Sequence, residues 1–289
     1  MKFSVSIYSF HQYAKMGPNA IFSAIDYAAL LGFDGIDFID AGLEYDEYLP
    51  YAKRVGEYCR EKGLEPACFC SAADFLNGSG GDLDAEIARV CRQVDKAAAY
   101  GVPVMRHDVV GFMNNFRGVG SYEKLIPRLA KGCLAVTRYA EEKGVRTCTE
   151  NHGYLSQDSA RVEALIEAVG HPNFGMLVDI GNFMCADENP IVSVGRCAQY
   201  AFHAHAKDFC YREGFLDHPG EGWFLTRGGN FLKGAIIGHG VVPVRQCLQT
   251  LKRNGYDGFV GLEFEGMEDP LTGIRVGFDN LKKLYEKLV

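Results

Sequence analysis

The sequence lacks the features of nucleic-acid and nucleotide binders. Its 30 lysine and arginine residues are outnumbered by 37 aspartate and glutamate residues, which gives a formal net charge of −7, and no basic run interrupts this balance. Proteins that bind a phosphate backbone usually carry a basic stripe or face. Neither a Walker loop nor a strand-linked GxGxxG motif occurs. The expected partner is therefore a small molecule, and neither a nucleic acid nor a nucleotide cofactor is indicated.

Long hydrophobic runs are also missing. No window approaches the ~20 consecutive apolar residues of a transmembrane helix. Residues 1–10 alternate polar and apolar side chains and do not form the apolar block of a signal peptide. The ten cysteines include no CxxC pair, and most lie in apolar segments, as reduced core cysteines do. These features predict a cytoplasmic protein without a membrane partner.

The sequence does contain one repeated pattern: an amphipathic helix, a glycine, a few residues and a short apolar strand. Together with the opening strand Phe3–Ser9 and a strand at Ala201–His205, these junctions give eight strands, which alternate with helices. This pattern predicts a single α/β domain over residues 1–289, folded as a (β/α)8 TIM barrel, and leaves a homo-oligomer open. The glycines at the six junctions are Gly32, Gly63, Gly101, Gly144, Gly170 and Gly255.

Two segments lie outside this regular pattern. Pro18 is expected to open the first helix, because proline is favoured in the first helical turn. Residues Ala206–Gly240 form the longest stretch without an obvious helix or strand. Loops of this length usually serve as lids or contact elements, so we expect this segment to be irregular and functional.

Four strands of the predicted barrel finish on potential metal ligands: Glu150, Asp179, His205 and Glu263. The active site of a TIM barrel lies at the C-terminal ends of its strands, where residues distant in sequence meet. Each residue alone is more commonly a loop cap, a turn former or a core residue. Three carboxylates and one imidazole at neighbouring strand ends favour one divalent cation, with Mn²⁺ as first choice and Mg²⁺, Co²⁺ or Zn²⁺ as alternatives.

Short motifs surround these four residues: Glu150-Asn151-His152-Gly153, Val178-Asp179-Ile180-Gly181-Asn182, His205-Ala206-Lys207-Asp208 and Gly238-His239-Gly240. Together they resemble the xylose isomerase-like TIM barrels, the sugar phosphate isomerase/epimerase superfamily. The resemblance implies one divalent ion held by the four residues, and isomerase or epimerase chemistry on a small carbohydrate-like ketone. Glu150 and Glu263 would then exchange protons on opposite faces of the substrate carbon, through an enediolate.

One position departs from many sugar epimerases of this superfamily, which carry a histidine three residues after the aspartate ligand. That position is Asn182 in this chain. Asp-x-Gly-Asn is compatible with inosose and 3-dehydroshikimate dehydratases, which abstract the same proton and then eliminate a group. A lyase that uses His152 as its base is therefore the main alternative. An endonuclease of the abasic-site class would need more ligands and a basic face, and a non-catalytic barrel would not need all four ligands.

Five further residues are candidates for substrate binding. Arg106 and His107 end the fourth strand, where either could bind a substrate oxygen or where the arginine could pair with a barrel acid. Asn182 follows the aspartate ligand. Lys207 could reach a substrate oxygen or pair with the adjacent aspartate. Trp223, the single tryptophan, could cover a sugar ring or anchor its loop.

Overall fold

A computed structural model of the chain describes residues 1–10 and 19–288, and its centre is a closed barrel of eight parallel strands. The strands follow one another around the barrel in sequence order, and the last one pairs with the first. The predicted (β/α)8 TIM barrel is confirmed. The barrel strands are β1 (Lys2–Ser6), β2 (Gly35–Ile39), β3 (Glu65–Ser71), β4 (Val104–His107), β5 (Arg146–Glu150), β6 (Phe174–Asp179), β7 (Ala201–Ala206) and β11 (Phe259–Leu262).

Eight α-helices surround the barrel in the part of the chain that the structure describes. The glycines at all six predicted junctions have positive φ values, between 58° and 83°, as helix-ending glycines do. Pro18, the predicted helix start, lies outside the described residues. None of the described helices is long and apolar enough to cross a membrane. The helices are α1 (Ala20–Leu31), α2 (Tyr45–Glu61), α3 (Leu83–Tyr100), α4 (Tyr122–Glu142), α5 (Ser159–Val169), α6 (Pro190–Cys197), α7 (Val244–Arg253) and α8 (Pro270–Glu286).

The main hydrophobic core fills the layer between the strands and the helices. Phe38 of β2 stacks on Tyr100 of α3 with ring centroids 4.4 Å apart. Inside the barrel, a smaller apolar cluster includes Cys148 and Leu177. Because side chains two residues apart on a strand share a face, Cys148 and Glu150 both point into the barrel. The apolar cluster therefore forms a floor below the charged residues at the mouth.

The first strand is shorter than predicted. It was expected to reach Ser9 but ends at Ser6, because Ile7–Phe10 form a 3-10 helix. The hydroxyl of Ser9 donates to the carbonyl of Leu262 and accepts the backbone N–H of Phe264, so this turn is attached to the end of β11. The 3-10 helix places Tyr8 beside the cavity at the barrel mouth.

The prediction of an irregular segment at Ala206–Gly240 is wrong. Three strands within it form an antiparallel sheet: β8 (Asp208–Arg212), β9 (Phe224–Leu225) and β10 (Phe231–Ala235). The central strand β10 pairs with both β8 and β9. Because β8 begins two residues after β7 ends, this small sheet extends from the C-terminal mouth of the barrel and forms one side of the candidate site.

Candidate metal centre and active site

The four predicted ligand residues meet at the C-terminal mouth of the barrel. Glu150 ends β5, Asp179 ends β6, His205 lies one residue before the end of β7, and Glu263 follows β11. The strand register places Asp179 opposite His205, and His205 opposite Gly261. As a result, one potential ligand atom from each of the four residues lies within 4.8 Å of the others.

This cluster fits a divalent cation. Oδ2 of Asp179 and Nδ1 of His205 are buried, and neither has a hydrogen-bond partner among the described residues. Burial raises the pKa of Asp179 despite the opposing charge of Lys207, and the carboxylates of Glu150 and Glu263 add to the rise. Ligand atoms at about 2.1 Å from one ion lie at most about 4.2 Å apart, so small side-chain shifts would complete the coordination. These crowded acids and the imidazole are a suitable donor set for a metal ion.

Lys207 places a positive charge inside the same cluster. Its Nζ lies 2.7 Å from Glu263 Oε2, 2.9 Å from Glu265 Oε1 and 3.3 Å from Asp179 Oδ2. Burial lowers the pKa of Lys207, but the carboxylates outweigh it and hold the pKa well above its usual range. The predicted alternative pairing with Asp208 is wrong, because that carboxylate accepts three backbone N–H groups from the segment after β10.

Both oxygens of Glu150 are engaged. Nη2 of Arg106 lies 2.5 Å from Oε2, and Nδ2 of Asn182 donates to Oε1 at 2.9 Å. The same guanidinium pairs with Asp108 at 2.7 Å, and Asp108 binds Nδ1 of His152 at 2.9 Å. This contact engages Nδ1 of His152, whose side chain is 42% exposed and lines the cavity at the barrel mouth. Asp108 was missed in the sequence, although it directly follows β4.

His107 does not face the cavity, so its predicted role in substrate binding is wrong. Successive residues of a strand point to opposite faces, and Arg106 takes the inward direction. The His107 ring lies with its centroid 5.7 Å from that of Phe75 and 6.0 Å from that of Phe174. Its Nδ1 lies 2.8 Å from the carbonyl oxygen of Asp108. Burial lowers the pKa of His107 to about 4, so the ring is neutral at pH 7.

Trp223 lies outside the walls of the site, and the predicted cover over a sugar ring is not seen. Nζ of Lys233 lies 5.5 Å from the centroid of its ring, a cation–π contact that ties the start of β9 to β10. Phe224, the next residue, does line a cavity at the barrel mouth. Because successive side chains of a strand point to opposite faces, Phe224 rather than Trp223 lies beside the site.

A second buried cluster lies directly below the candidate ion site. Oδ2 of Asp37 lies 3.1 Å from Nε2 of His203 and 3.3 Å from Nε2 of His205, and it accepts a hydrogen bond from Ser4 at 2.9 Å. Burial raises the pKa of Asp37, but the two histidines hold it well below its usual range. Since Nε2 of His205 is directed to Asp37, Nδ1 is the nitrogen that faces Glu263 and the ion site. The sequence offered no motif that would single out Asp37.

The ion site opens into a cavity of about 310 Å³, which we call the polar cavity. Its volume suits a small polar ligand of monosaccharide size. Besides Glu150, His205 and Glu263, the polar cavity is lined by Tyr8, Ile39, Cys70, Ser71, Ala72, Arg106, Asp108, His152, Lys207 and Glu265. Predicted candidates Arg106, His152 and Lys207 therefore reach this space.

The sequence profile of the xylose isomerase-like TIM barrel family matches residues 25–284. The chain belongs to this family. Inosose dehydratases from Lacticaseibacillus casei and Clostridium beijerinckii are 25% and 27% identical to the chain over 146 and 172 residues. These alignments cover 50% and 57% of this chain and 47% and 55% of the two relatives. The matched region thus spans about half the length of each relative.

Solved structures share the fold of this family member over nearly the whole chain. The IOLI protein with a bound zinc atom gives a TM-score of 0.77 at 17% identity, with 100% of this chain and 99% of that chain covered. The probable 3-DHS dehydratase AsbF from Bacillus anthracis gives 0.71 at 17%, with 99% and 100% covered. An L-ribulose 3-epimerase gives 0.73 at 14%, with 99% and 96% covered. At these identities the likeness concerns the fold.

Proposed function

We propose that the protein is a divalent-metal-dependent carbon–oxygen lyase that acts on a polyhydroxylated ketone, such as an inosose or a keto-sugar. The observation that carries this proposal is the orientation of His152. Asp108 engages its Nδ1 and leaves Nε2 as the ring nitrogen that can act as a base in the polar cavity, whereas both oxygens of Glu150 are bound by Arg106 and Asn182. The imidazole is therefore the better placed base. The inosose dehydratases among the relatives support the same reaction class.

The chain would hold one ion with Glu150, Asp179, His205 and Glu263, because these residues supply the buried donor set. When bound, a divalent ion acts as a Lewis acid that polarises a carbonyl and stabilises an enolate. Mn²⁺ is the ion we propose first, and Zn²⁺, which the IOLI structure contains, is an alternative. Metal analysis of the purified protein should give about one equivalent per chain. A protein that binds no divalent ion would contradict the proposal.

The protein groups would then move a single proton. Nε2 of His152 accepts the proton from the carbon next to the carbonyl, and the Asp108 carboxylate stabilises the resulting imidazolium. The carbon–carbon double bond forms as the β carbon–oxygen bond breaks, and the imidazolium returns the proton to the departing oxygen. Lys207 retains its own proton, because its pKa is raised, and contributes a fixed positive charge beside the developing negative charge.

An isomerase or epimerase, our leading prediction from the sequence, is the second candidate. A specific observation favours it: the carboxylates of Glu150 and Glu263 both lie in the ligand cluster, with ligand atoms within 4.8 Å of each other. Such a pair could remove a proton from one face of a carbon and return it to the other face. Its weakness is that Arg106 and Lys207 already pair with these two carboxylates.

One experiment separates the two functions. Metal-loaded protein is incubated in deuterated water with a panel of inososes, ketoses and keto-sugars, followed by ultraviolet absorbance and NMR. A lyase should produce an unsaturated ketone, detected by its new absorbance band and vinyl proton. Deuterium at the carbon next to the carbonyl of an intact or epimerised sugar, without an unsaturated product, would overturn the lyase in favour of the second candidate.

A further inference from the structure

A second cavity of about 200 Å³ adjoins the polar cavity at the barrel mouth. The two cavities share three lining residues, His152, Lys207 and Glu265. Beyond this boundary the character of the wall changes from charged to aromatic, so we call the second space the aromatic pocket. Its other lining residues are Phe112, Gly153, Tyr154, Gln157, Asn182, Cys185, Phe209 and Phe224.

The aromatic rings of this pocket come from separate parts of the chain and meet in pairs. Phe112, which follows β4, lies with its ring centroid 4.9 Å from that of Tyr154, which follows β5. Phe209 of β8 and Phe224 of β9 form an edge-to-face pair with centroids 5.8 Å apart. The small antiparallel sheet thus supplies one side of the pocket and the barrel loops supply the other. Phe112 is 67% exposed and stands at the entrance.

Tyr154 is held in place by an unusual backbone and several hydrogen bonds. Its φ is +69°, a left-handed value that is uncommon for a tyrosine. Gln157 accepts its backbone N–H at 2.7 Å, Arg227 donates to its carbonyl at 3.2 Å, and its hydroxyl donates to the carbonyl of Leu225. Backbone strain of this kind persists where the surroundings fix a residue, and it clusters at ligand sites. The ring is therefore fixed between the barrel and the small sheet.

We propose that the aromatic pocket binds a six-membered ring carried by the departing oxygen. This inference rests on the proposed lyase function and narrows its substrate class to β-alkoxy or β-aryloxy ketones, such as keto-glycosides. The groups in the polar cavity would hold the oxygen-rich ketone, and the leaving oxygen would lie at His152, on the boundary between the two spaces. Whatever that oxygen carries then extends into the aromatic pocket.

The dimensions and chemistry of the pocket suit such a ring. A cavity of about 150 Å³ is enough to bind benzene, so about 200 Å³ accommodates one six-membered ring. Aromatic side chains present flat faces to an apolar ring surface, and both phenyl rings and sugar rings have such a surface. Glu265 adds a polar group for a ring hydroxyl. A hydroxyl leaving group, released as water, would leave these aromatic walls without a ligand.

The reaction balances without an oxidant or a second substrate. The proton leaves the carbon next to the carbonyl and reaches His152, and its bonding electrons form the double bond as the β carbon–oxygen bond breaks. The departing oxygen takes the electron pair of that bond, and the imidazolium protonates it. The products are an unsaturated ketone and a ring-bearing alcohol or phenol.

A kinetic comparison tests this proposal. Keto-sugars that differ only in the β substituent, a hydroxyl, a methoxy, a phenoxy or a glucosyloxy group, are compared on the metal-loaded enzyme by kcat/KM. We expect the two ring-bearing substrates to exceed the hydroxyl substrate at least tenfold. Phe112→Ala and Phe224→Ala should reduce this ratio at least fivefold. Phe215→Ala, at a phenylalanine that is 81% exposed and does not line the pocket, is the matched control. Equal kcat/KM across the series would overturn the proposal.

Ligand binding provides a readout that does not depend on catalysis. Phenol and glucose, the two leaving-group fragments, are tested for binding to the protein by saturation-transfer NMR. The proposal is supported if either fragment binds and its binding is weaker in Phe224→Ala but not in Phe215→Ala. The fragment that binds more tightly shows whether the pocket prefers an aromatic ring or a sugar ring. If no substrate is eliminated but a fragment binds in this way, the lyase function fails and the pocket stands. Binding of neither fragment rejects the pocket.

Discussion

Oδ2 of Asp37 lies 3.3 Å from Nε2 of His205, directly below the candidate ion site. This contact fixes which ring nitrogen faces the other ligands, because Nε2 is turned to Asp37 and Nδ1 to the mouth of the barrel. A carboxylate that binds the outer nitrogen of a metal-binding histidine both orients the ring and raises its basicity. Asp37 therefore belongs to the functional centre although it would not touch the ion.

Replacement of Asp37 by asparagine should weaken metal binding. We expect the affinity for a divalent ion to fall about 10- to 100-fold, which is typical when such an outer partner is lost. Isothermal titration calorimetry on the metal-free protein measures this effect, and circular dichroism checks the fold. Asp257→Asn, at an exposed carboxylate, is the control. Equal affinities in Asp37→Asn and wild type would show that His205 is oriented without Asp37.

Gly261→Ala should damage the same contact from the neighbouring strand. A Cβ at this position would lie 2.1 Å from Oδ2 of Asp37 and 2.8 Å from Cδ2 of His205, so one or both side chains must move. We expect a loss of about 1–3 kcal/mol in the free energy of unfolding, together with weaker metal binding. Denaturant unfolding measures the first effect and calorimetry the second.

Gly195→Ala is a matched control for that substitution. Gly195 lies in α6 and a Cβ there would meet no atom within 4 Å. Alanine in place of a helical glycine should raise the free energy of unfolding by about 0.5–1 kcal/mol and leave metal binding unchanged. A Gly261→Ala variant as stable as Gly195→Ala, with unchanged metal binding, would mean that the crowding at Gly261 is relieved by the surrounding strands.

His152→Gln should separate catalysis from metal binding. If His152 moves the proton, turnover should fall about 10²- to 10⁴-fold, while the metal content stays near one equivalent. Glu150→Gln and Glu263→Gln should lower both, since these residues belong to the ligand cluster. Steady-state kinetics and metal analysis are measured on the same preparations. Near-normal turnover in His152→Gln would indicate that Glu150 and Glu263 transfer the proton, and it would favour an epimerase.

His107 should make the protein sensitive to acid. Its folded-state pKa is about 4, below the usual histidine pKa of 6.5, so between these two pH values the unfolded chain binds more protons than the folded chain. The stability that depends on a neutral His107 is therefore fully present above pH 6.5. As the pH falls from 6.5 towards 4, the free energy of unfolding decreases by at most about 1.4 kcal/mol per pH unit. Denaturant unfolding at several pH values should show a shallower decline in His107→Asn. Parallel curves for the two proteins would contradict this assignment.

Much of the fold could be predicted from the sequence because its signals are local. Gly32 and Gly255 end helices in left-handed conformations, as the spacing of apolar residues before them indicated. The antiparallel sheet in the segment 206–240 was missed because its strand pairing is not local in the sequence. Its central strand pairs with β8 across a separation of about twenty residues, and β9 has two residues, so neither length nor periodicity marks them.

The same distinction applies to the site. Glu150 and Asp179 could be placed because they end strands, and a barrel brings strand ends together. The direction of a side chain at a strand end was harder to predict, since a shift of one residue exchanges the inward and outward faces, as happened at His107. Asp37 and Asp108 were missed because their importance comes from His205 and His152, histidines that are far away in sequence.

The ammonium group of Lys207 has a consequence for the protein before it acquires an ion. Without a cation, the three carboxylates at the barrel rim would repel one another. Nζ of Lys207 already lies 2.7 Å from Oε2 of Glu263 and 3.3 Å from Oδ2 of Asp179, and its positive charge reduces this repulsion. We expect the rim of the demetallated chain to stay assembled, so that ions can enter and leave without local unfolding. A newly synthesised chain could then reach its mature shape first and collect its metal afterwards.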